Sequence, residues 1–154
     1  MHSLAELSRG WPFITIADLD ALNKATDEIH HAAQFVAMTG KRFLPEETDD
    51  SQTNMGWLVE ENAIQDGILV GNPLEVPEQE QFHVGIQPSN LSLVFLTADE
   101  REVMAEQPLT GMTQAEVLAW HKGQLEAEGL NSDQFNLDLH YSIPPHPVEQ
   151  GVSY

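Results

Sequence analysis

Hydrophobic and polar residues recur along the chain with two different periods, and each period predicts a class of element. Between residues 19 and 43 apolar side chains return every three or four positions, as at Leu22, Ile29 and Val36, which is typical of an amphipathic helix. The tetrapeptide Thr15–Asp18 matches a capping box, which predicts the start of this helix, and Gly40 predicts its end.

A second helix is indicated by another capping box, Thr113–Glu116, where Met112 and Val117 are placed as a hydrophobic staple. Gly129 predicts the end of this helix. Earlier in the chain, the segment Thr97–Glu100 has similar capping character and predicts the start of a short additional helix.

Five segments have the composition or the two-residue period of β-strands. Residues 57–65 and 68–70 flank Asp66–Gly67, which predicts a hairpin with a type I′ turn. Residues 82–86 alternate apolar and polar side chains, and residues 91–97 are more uniformly apolar. Residues 135–143 show the clearest alternation in the chain.

The order of elements is therefore one helix, four strands, a second helix and a last strand. Strands joined by tight turns pair antiparallel, and amphipathic helices cover one face of such a sheet. We expect an α+β fold of two layers, with a mainly antiparallel sheet of about five strands covered by two main helices. The 154 residues suit a single domain, 1–154, with residues 144–154 as an extended C-terminal tail.

Composition narrows the classes of partner and site. The 25 acidic side chains against 6 lysines and arginines give a formal charge of −19, so we expect neither a nucleic-acid partner nor binding to an anionic membrane. The absence of cysteine excludes disulfides and thiolate sites. With no secretory signal pattern and no apolar stretch near the ~20 residues of a spanning helix, a cytoplasmic location is expected. No phosphate-binding loop or other cofactor motif occurs, so no cofactor is expected.

Two adjacent histidines in the first helix raise the question of a metal site. Glu28 and His31 have the Glu-x-x-His spacing of di-metal bundles. Helical geometry places both away from the apolar stripe, towards solvent or a rim, and the second helix has no matching motif. The bundle interpretation therefore fails.

Four other candidates for a ligand site lie on the predicted elements. His30 and Gln34 are one turn apart on the flank of the first helix, where a hydrogen-bonded boundary histidine is the simpler interpretation. His121 lies in the middle of the apolar face of the second helix, either as a core histidine with satisfied ring nitrogens or as the lining of a pocket. Trp57 adds apolar area to the uncovered face of the sheet, together with Val94 and Leu96, which favours a homodimer.

His83, Asp138 and His140 are predicted on the polar sides of their strands. If the last strand lies beside the strand of His83, an Asp-His-His cluster results, with ligands suited to a divalent metal or to general base catalysis. A solvated polar face is the simpler alternative, since strand order is not readable from the sequence.

One helix resembles a known family. The spacing of His30 and Gln34, followed by Val36 and the basic pair Lys41–Arg42, is similar to the N-terminal helix of a bacterial family described as a domain of unknown function. Central hairpins, and a late helix leading to a strand that ends Ser142–Pro144, follow the same plan.

The chain departs from that family at the first strand, where the family carries Trp-Trp-His and residues 56–58 here read Gly-Trp-Leu. The resemblance implies a bacterial protein with an α+β fold, and it implies no activity.

The function expected from the sequence is binding, to a small ligand or to a partner subunit. The ligand-binding candidates are His30, Gln34, Trp57, His83, His121, Asp138 and His140. The first alternative is a metal-dependent enzyme using His83, Asp138 and His140, and the second is an acidic protein-interaction module. Whether the chain is an enzyme stays open. No nucleophile motif is present, and the metal-dependent alternative depends on a strand order that the sequence does not reveal.

Overall fold

The computed structural model describes residues 16–58, 67–99, 101–143 and 145–154. Helix α1 spans Ile16–Phe43 and helix α2 spans Gln114–Ala127. The capping box predicted at Thr15–Asp18 begins outside the described residues. No helix in the described part of the chain combines the length and the apolar character needed to cross a bilayer.

In the sequence, five strands follow helix α1 and precede helix α2. They form an antiparallel sheet in which each strand pairs with its neighbours in sequence. Its strands are β1 (Met55–Leu58), β2 (Ile68–Gly71), β3 (Phe82–Gln87), β4 (Ser92–Thr97) and β5 (Val103–Pro108). This sheet and the two helices confirm the predicted α+β class.

The core forms where both helices meet the centre of the sheet. Helix α1 packs against β2 and β3, and the ring of Phe95 on β4 lies 5.9 Å from that of Trp120 on α2. Phe95 also stacks on Phe82 of β3, at 5.7 Å between ring centroids. Burying aromatic and aliphatic side chains at this junction supplies the main stabilisation of the fold.

Helix α2 begins as the sequence predicts. The Thr113 hydroxyl accepts a hydrogen bond from the Glu116 amide, and the Glu116 carboxylate accepts one from the Thr113 amide. These reciprocal bonds satisfy donors that the first turn of a helix leaves free. Gly129 adopts a φ of +91° just beyond the helix, where the left-handed conformation favours glycine.

The tight hairpin predicted at Asp66–Gly67 is wrong. A two-residue turn there would place Gln65 opposite Ile68, but the register places Leu58 opposite Ile68. The connection is therefore longer, and its residues 59–66 lie outside the described part of the chain. A local Asp-Gly signal is compatible with several loop lengths, and the pairing of the flanking strands decides among them.

The short helix predicted at Thr97–Glu100 is also wrong, because Thr97 ends β4 and the chain turns into β5. The Thr97 hydroxyl accepts a hydrogen bond from the Glu102 amide, and the Thr97 amide donates to the Glu102 carbonyl. The predicted capping side chain thus closes a hairpin. Strand β5 has a weak sequence signal, because its Ala, Glu and Pro residues are depleted in strands and its residues do not alternate clearly; its pairing with the apolar β4 fixes it.

Residues 135–143 form no strand, so the prediction of a last strand there is wrong. This segment follows the short 3-10 helix Ser132–Gln134 and lies outside the sheet, with an extended backbone at Phe135. Of the predicted tail, the structure describes residues 145–154. A 3-10 helix spans Pro147–Gln150, and Val148 within it is fully buried.

Helix α1 is buried around its whole circumference between residues 31 and 40. It does not end at Gly40 but continues to Phe43. Gly40 is required by close packing instead, since a Cβ there would lie 2.1 Å from the backbone oxygen of Gln52. Gln52 belongs to the 3-10 helix Ser51–Thr53, which lies against α1.

Candidate functional site

The burial of α1 reverses the expectation for its adjacent histidines. His31, predicted to face solvent or a rim, has only 3% of its surface exposed, whereas His30 is exposed. The prediction assumed that one face of the helix would meet solvent. In the structure the C-terminal part of the chain covers the face of α1 that was expected to meet solvent, because residues 135–143 lie outside the sheet.

A cavity of about 390 Å³ lies where this C-terminal part meets both helices, and we call it the C-terminal cleft. Helix α1 supplies two lining side chains, α2 supplies its first residue, and the C-terminal part supplies the rest. The lining residues are His31, Gln34, Gln114, Leu137, Leu139, Tyr141, Ser142, Ile143 and Glu149. The cleft opens to solvent beside the exposed residues Tyr141, Ser142 and Glu149.

A chain of hydrogen bonds fixes one wall of the C-terminal cleft. The Tyr141 hydroxyl donates to the side-chain oxygen of Gln34, and the Gln34 amide nitrogen donates to the His30 carbonyl at 2.9 Å. Burial, and after it the negative charge of Asp50, raises the pKa of Tyr141. Tyr141 therefore stays protonated, and its hydroxyl oxygen keeps a lone pair that can accept from a ligand.

A carboxylate and an imidazole, those of Glu149 and His31, also line the cleft. Nε2 of His31 lies 3.4 Å from Oε1 of Glu149, and the rings of His31 and His146 are 5.5 Å apart. Nδ1 of His146 accepts the amide proton of Val148, which caps the 3-10 helix that carries Glu149. This cap explains how Glu149 is positioned beside His31.

Polar side chains of α1 and of the loop after it hold residues 135–143 in place. Arg42 donates to the side-chain oxygen of Asn136 at 2.5 Å and to the carbonyl of Asp138 at 2.8 Å. Nε2 of His140 lies 2.6 Å from Oδ2 of Asp50. These contacts replace the backbone ladder of the strand that the alternating pattern predicted.

The predicted cluster of His83, Asp138 and His140 does not form. His83 lies within the sheet, where its Nδ1 donates to the Gly71 carbonyl at 2.8 Å, while the other two residues lie on the segment beside α1. Among the described residues, no group of three His, Cys, Asp or Glu side chains is placed to hold a metal ion. The cluster required pairing between the two segments, and residues 135–143 pair with no described strand.

Comparison of the chain with protein-family models, curated proteins and solved structures finds no match. The resemblance to a bacterial family therefore stays a prediction, and the site must be interpreted from its own geometry.

The remaining candidates lie at three separate places. Of these, Gln34 alone lines the C-terminal cleft. His30 is not a lining residue, and its carbonyl accepts the hydrogen bond from the Gln34 side chain. Trp57 is 55% exposed on the edge strand β1. His121 is fully buried among the rings of Phe35, Phe95 and Phe135, which makes it a core residue.

The sequence did not predict the roles of His31, Tyr141 and Glu149 in lining the C-terminal cleft. Helical geometry predicts the direction of the His31 side chain but does not reveal what packs there. The alternation of residues 135–143 predicts Tyr141 on the apolar face of a strand, and Glu149 lies in the predicted tail. A clue lay in the polar side chains of residues 135–143, which alternate as in a strand but also match side-chain partners on α1 and on the loop after it, as Asn136 does with Arg42 and His140 with Asp50.

Proposed function

We propose that this protein binds a small molecule in the C-terminal cleft. One observation supports this proposal above the others: polar groups from three separate parts of the chain converge on one cavity that opens to solvent. Ligand pockets characteristically combine an apolar lining with a few convergent polar groups that fix orientation. Here Leu137, Leu139 and Ile143 form the apolar part, and Gln34, Tyr141 and Glu149 are among the polar groups.

Two features of the polar lining residues support preorganisation for a ligand. The Gln34 amide is held at both ends, by Tyr141 and by the His30 carbonyl, so its orientation is set before a ligand arrives. Glu149 is fixed by the capped 3-10 helix and yet has 47% of its side-chain surface exposed. Groups held in place by the protein lose little conformational entropy on binding.

The proposal is tested by screening a fragment library with saturation-transfer NMR against three proteins. They are the natural sequence, a Ser142→Trp variant that fills the cleft, and an Asn90→Trp variant that adds the same ring to the turn between β3 and β4. We expect a set of fragments that bind the natural protein and Asn90→Trp but not Ser142→Trp. Equal signals in all three proteins, or no binding fragment, would contradict the proposal.

A further inference from the structure

The charge of the C-terminal cleft selects among ligands, given that the proposed function holds. Counting histidine as neutral, Glu149 carries the formal charge of the described lining, which contains no lysine or arginine. A bound anion would face this carboxylate without a compensating cation, whereas a bound cation would be attracted to it. The formal charge of −19 for the whole chain acts in the same direction.

One feature of the lining normally favours anions, and the structure neutralises it. Gln114 is the first residue of α2, and the positive end of a helix dipole attracts negative groups. The first turn of α2 already holds the carboxylate of Glu116, which accepts from the Thr113 amide at 3.2 Å. The end of the helix is thus occupied by a negative group of the chain itself.

The lining of the cleft contains both hydrogen-bond acceptors and apolar side chains. The Glu149 carboxylate and the oxygen of Tyr141 offer acceptors, and an ammonium group offers three donors and no acceptor. The apolar lining residues Leu137, Leu139 and Ile143 suit a ligand with a short hydrocarbon body. A cavity of about 390 Å³ is near the lower end of ligand pockets, which run from roughly 300 to 1,000 Å³, so the body must be small.

From this arrangement we infer that the ligand is a small organic cation, an amine with a short apolar body, whose ammonium group pairs with Glu149. The rest of the molecule lies against the apolar side chains of Leu137, Leu139 and Ile143.

The test compares three probes that share one carbon skeleton: n-pentylamine, n-pentanol and pentanoate. Binding is followed by amide shifts of the ¹⁵N-labelled protein at constant ionic strength. Glu149→Gln removes the charge in the cleft, and the control Glu106→Gln removes an equal charge from exposed strand β5. We expect pentylamine to give saturable shifts at the lining residues and to bind roughly tenfold more weakly to Glu149→Gln, because a charge-assisted hydrogen bond is lost. Glu106→Gln should leave its affinity unchanged.

Three outcomes would overturn the inference. The first is equal weakening by both substitutions, which would show that the amine binds the acidic surface in general. The second is pentanol or pentanoate binding in the cleft as tightly as the amine, and this result would leave the proposed function standing. The third is no saturable shift with pentylamine; the fragment screen then decides separately whether the cleft binds any molecule.

Discussion

His121 is a buried polar residue with one of its two ring nitrogens hydrogen-bonded within an aromatic core. The Thr39 hydroxyl donates to the Phe35 carbonyl at 2.6 Å, so its oxygen accepts from Nε2 of His121 at 2.8 Å. This bonding assigns the neutral tautomer with the proton on Nε2. Nδ1 then keeps an unpaired lone pair, which costs less than an unpaired N–H group, and it has no partner in the described structure.

Burial lowers the pKa of His121 from 6.5 to about 3, which gives a prediction for acid stability. Between these values the unfolded chain binds a proton that the folded chain does not, so the free energy of unfolding falls as the pH falls. At about 1.4 kcal/mol per pKa unit, the loss approaches roughly 5 kcal/mol over the whole window. We expect urea unfolding to be markedly less pH-dependent for His121→Leu than for the natural sequence. The same change of the free energy of unfolding with pH in the two proteins would contradict a buried, neutral His121.

At the scale of elements, Gly40 decides how closely α1 approaches the 3-10 helix Ser51–Thr53. In an exposed helix, replacing glycine with alanine adds roughly 1 kcal/mol of stability. At Gly40 the new methyl group would lie 2.1 Å from the Gln52 backbone oxygen, and backbone has little freedom to move away. The steric term therefore exceeds the gain in helix propensity.

We accordingly expect Gly40→Ala to lower the free energy of unfolding by about 1–3 kcal/mol, the range of overpacked cores. Gly123→Ala is the matched control, because Gly123 lies in α2 and a methyl group added there would meet no neighbouring group within 4 Å. That substitution should raise stability by about 0.5–1 kcal/mol. Urea titrations of both variants measure the difference, and a stabilising Gly40→Ala would disprove the packing argument.

At the scale of the whole molecule, exposed apolar side chains are found on both outermost strands of the described sheet. Trp57 lies on β1, and Val103 and Met104 lie on β5, with 55%, 56% and 41% exposure. Val94 and Leu96, which the sequence suggested for a subunit interface, are buried within the chain and do not contribute. Among the described residues of the sheet, the exposed large apolar side chains therefore lie on its two edge strands.

The homodimer stays a prediction, and the structure makes its test more specific. Edge strands with exposed apolar residues pair readily with another copy, and two-fold dimers are the commonest assembly. We expect light scattering to report twice the mass of one chain at micromolar concentrations. Val103→Lys or Trp57→Lys should shift the mass towards one chain, according to which edge forms the contact. A monomer at all concentrations would refute the dimer.

The sequence by itself determined the elements whose signals are local. The capping box Thr113–Glu116 uses hydrogen bonds between residues three apart, so it forms wherever α2 is placed. Strands β3 and β4 were predicted because their apolar side chains lie close together in sequence and the turn between them is short. Together with the long apolar stripe of α1, these local signals were sufficient for the α+β class.

Only the tertiary structure decided where extended segments found their hydrogen-bond partners. Residues 135–143 have the alternation of a strand, but Arg42, Gln34 and Asp50 bind them through side chains, so the segment lies against α1. The weaker pattern of β5 pairs with β4 instead. An extended backbone requires partners without specifying which, because the alternation records one apolar face and not its neighbour.

The C-terminal cleft follows from that same choice of partner. Had residues 135–143 joined the sheet, one face of α1 would have met solvent, as helical periodicity predicted for His31. In the structure the segment lies beside α1, the residues that follow it place His146 and Glu149 against the buried His31, and Tyr141 lines the same cavity. These residues are more than 100 positions apart at the extremes, and no local pattern links them. Their approach is decided by long-range packing, which the sequence encodes only through the fold as a whole.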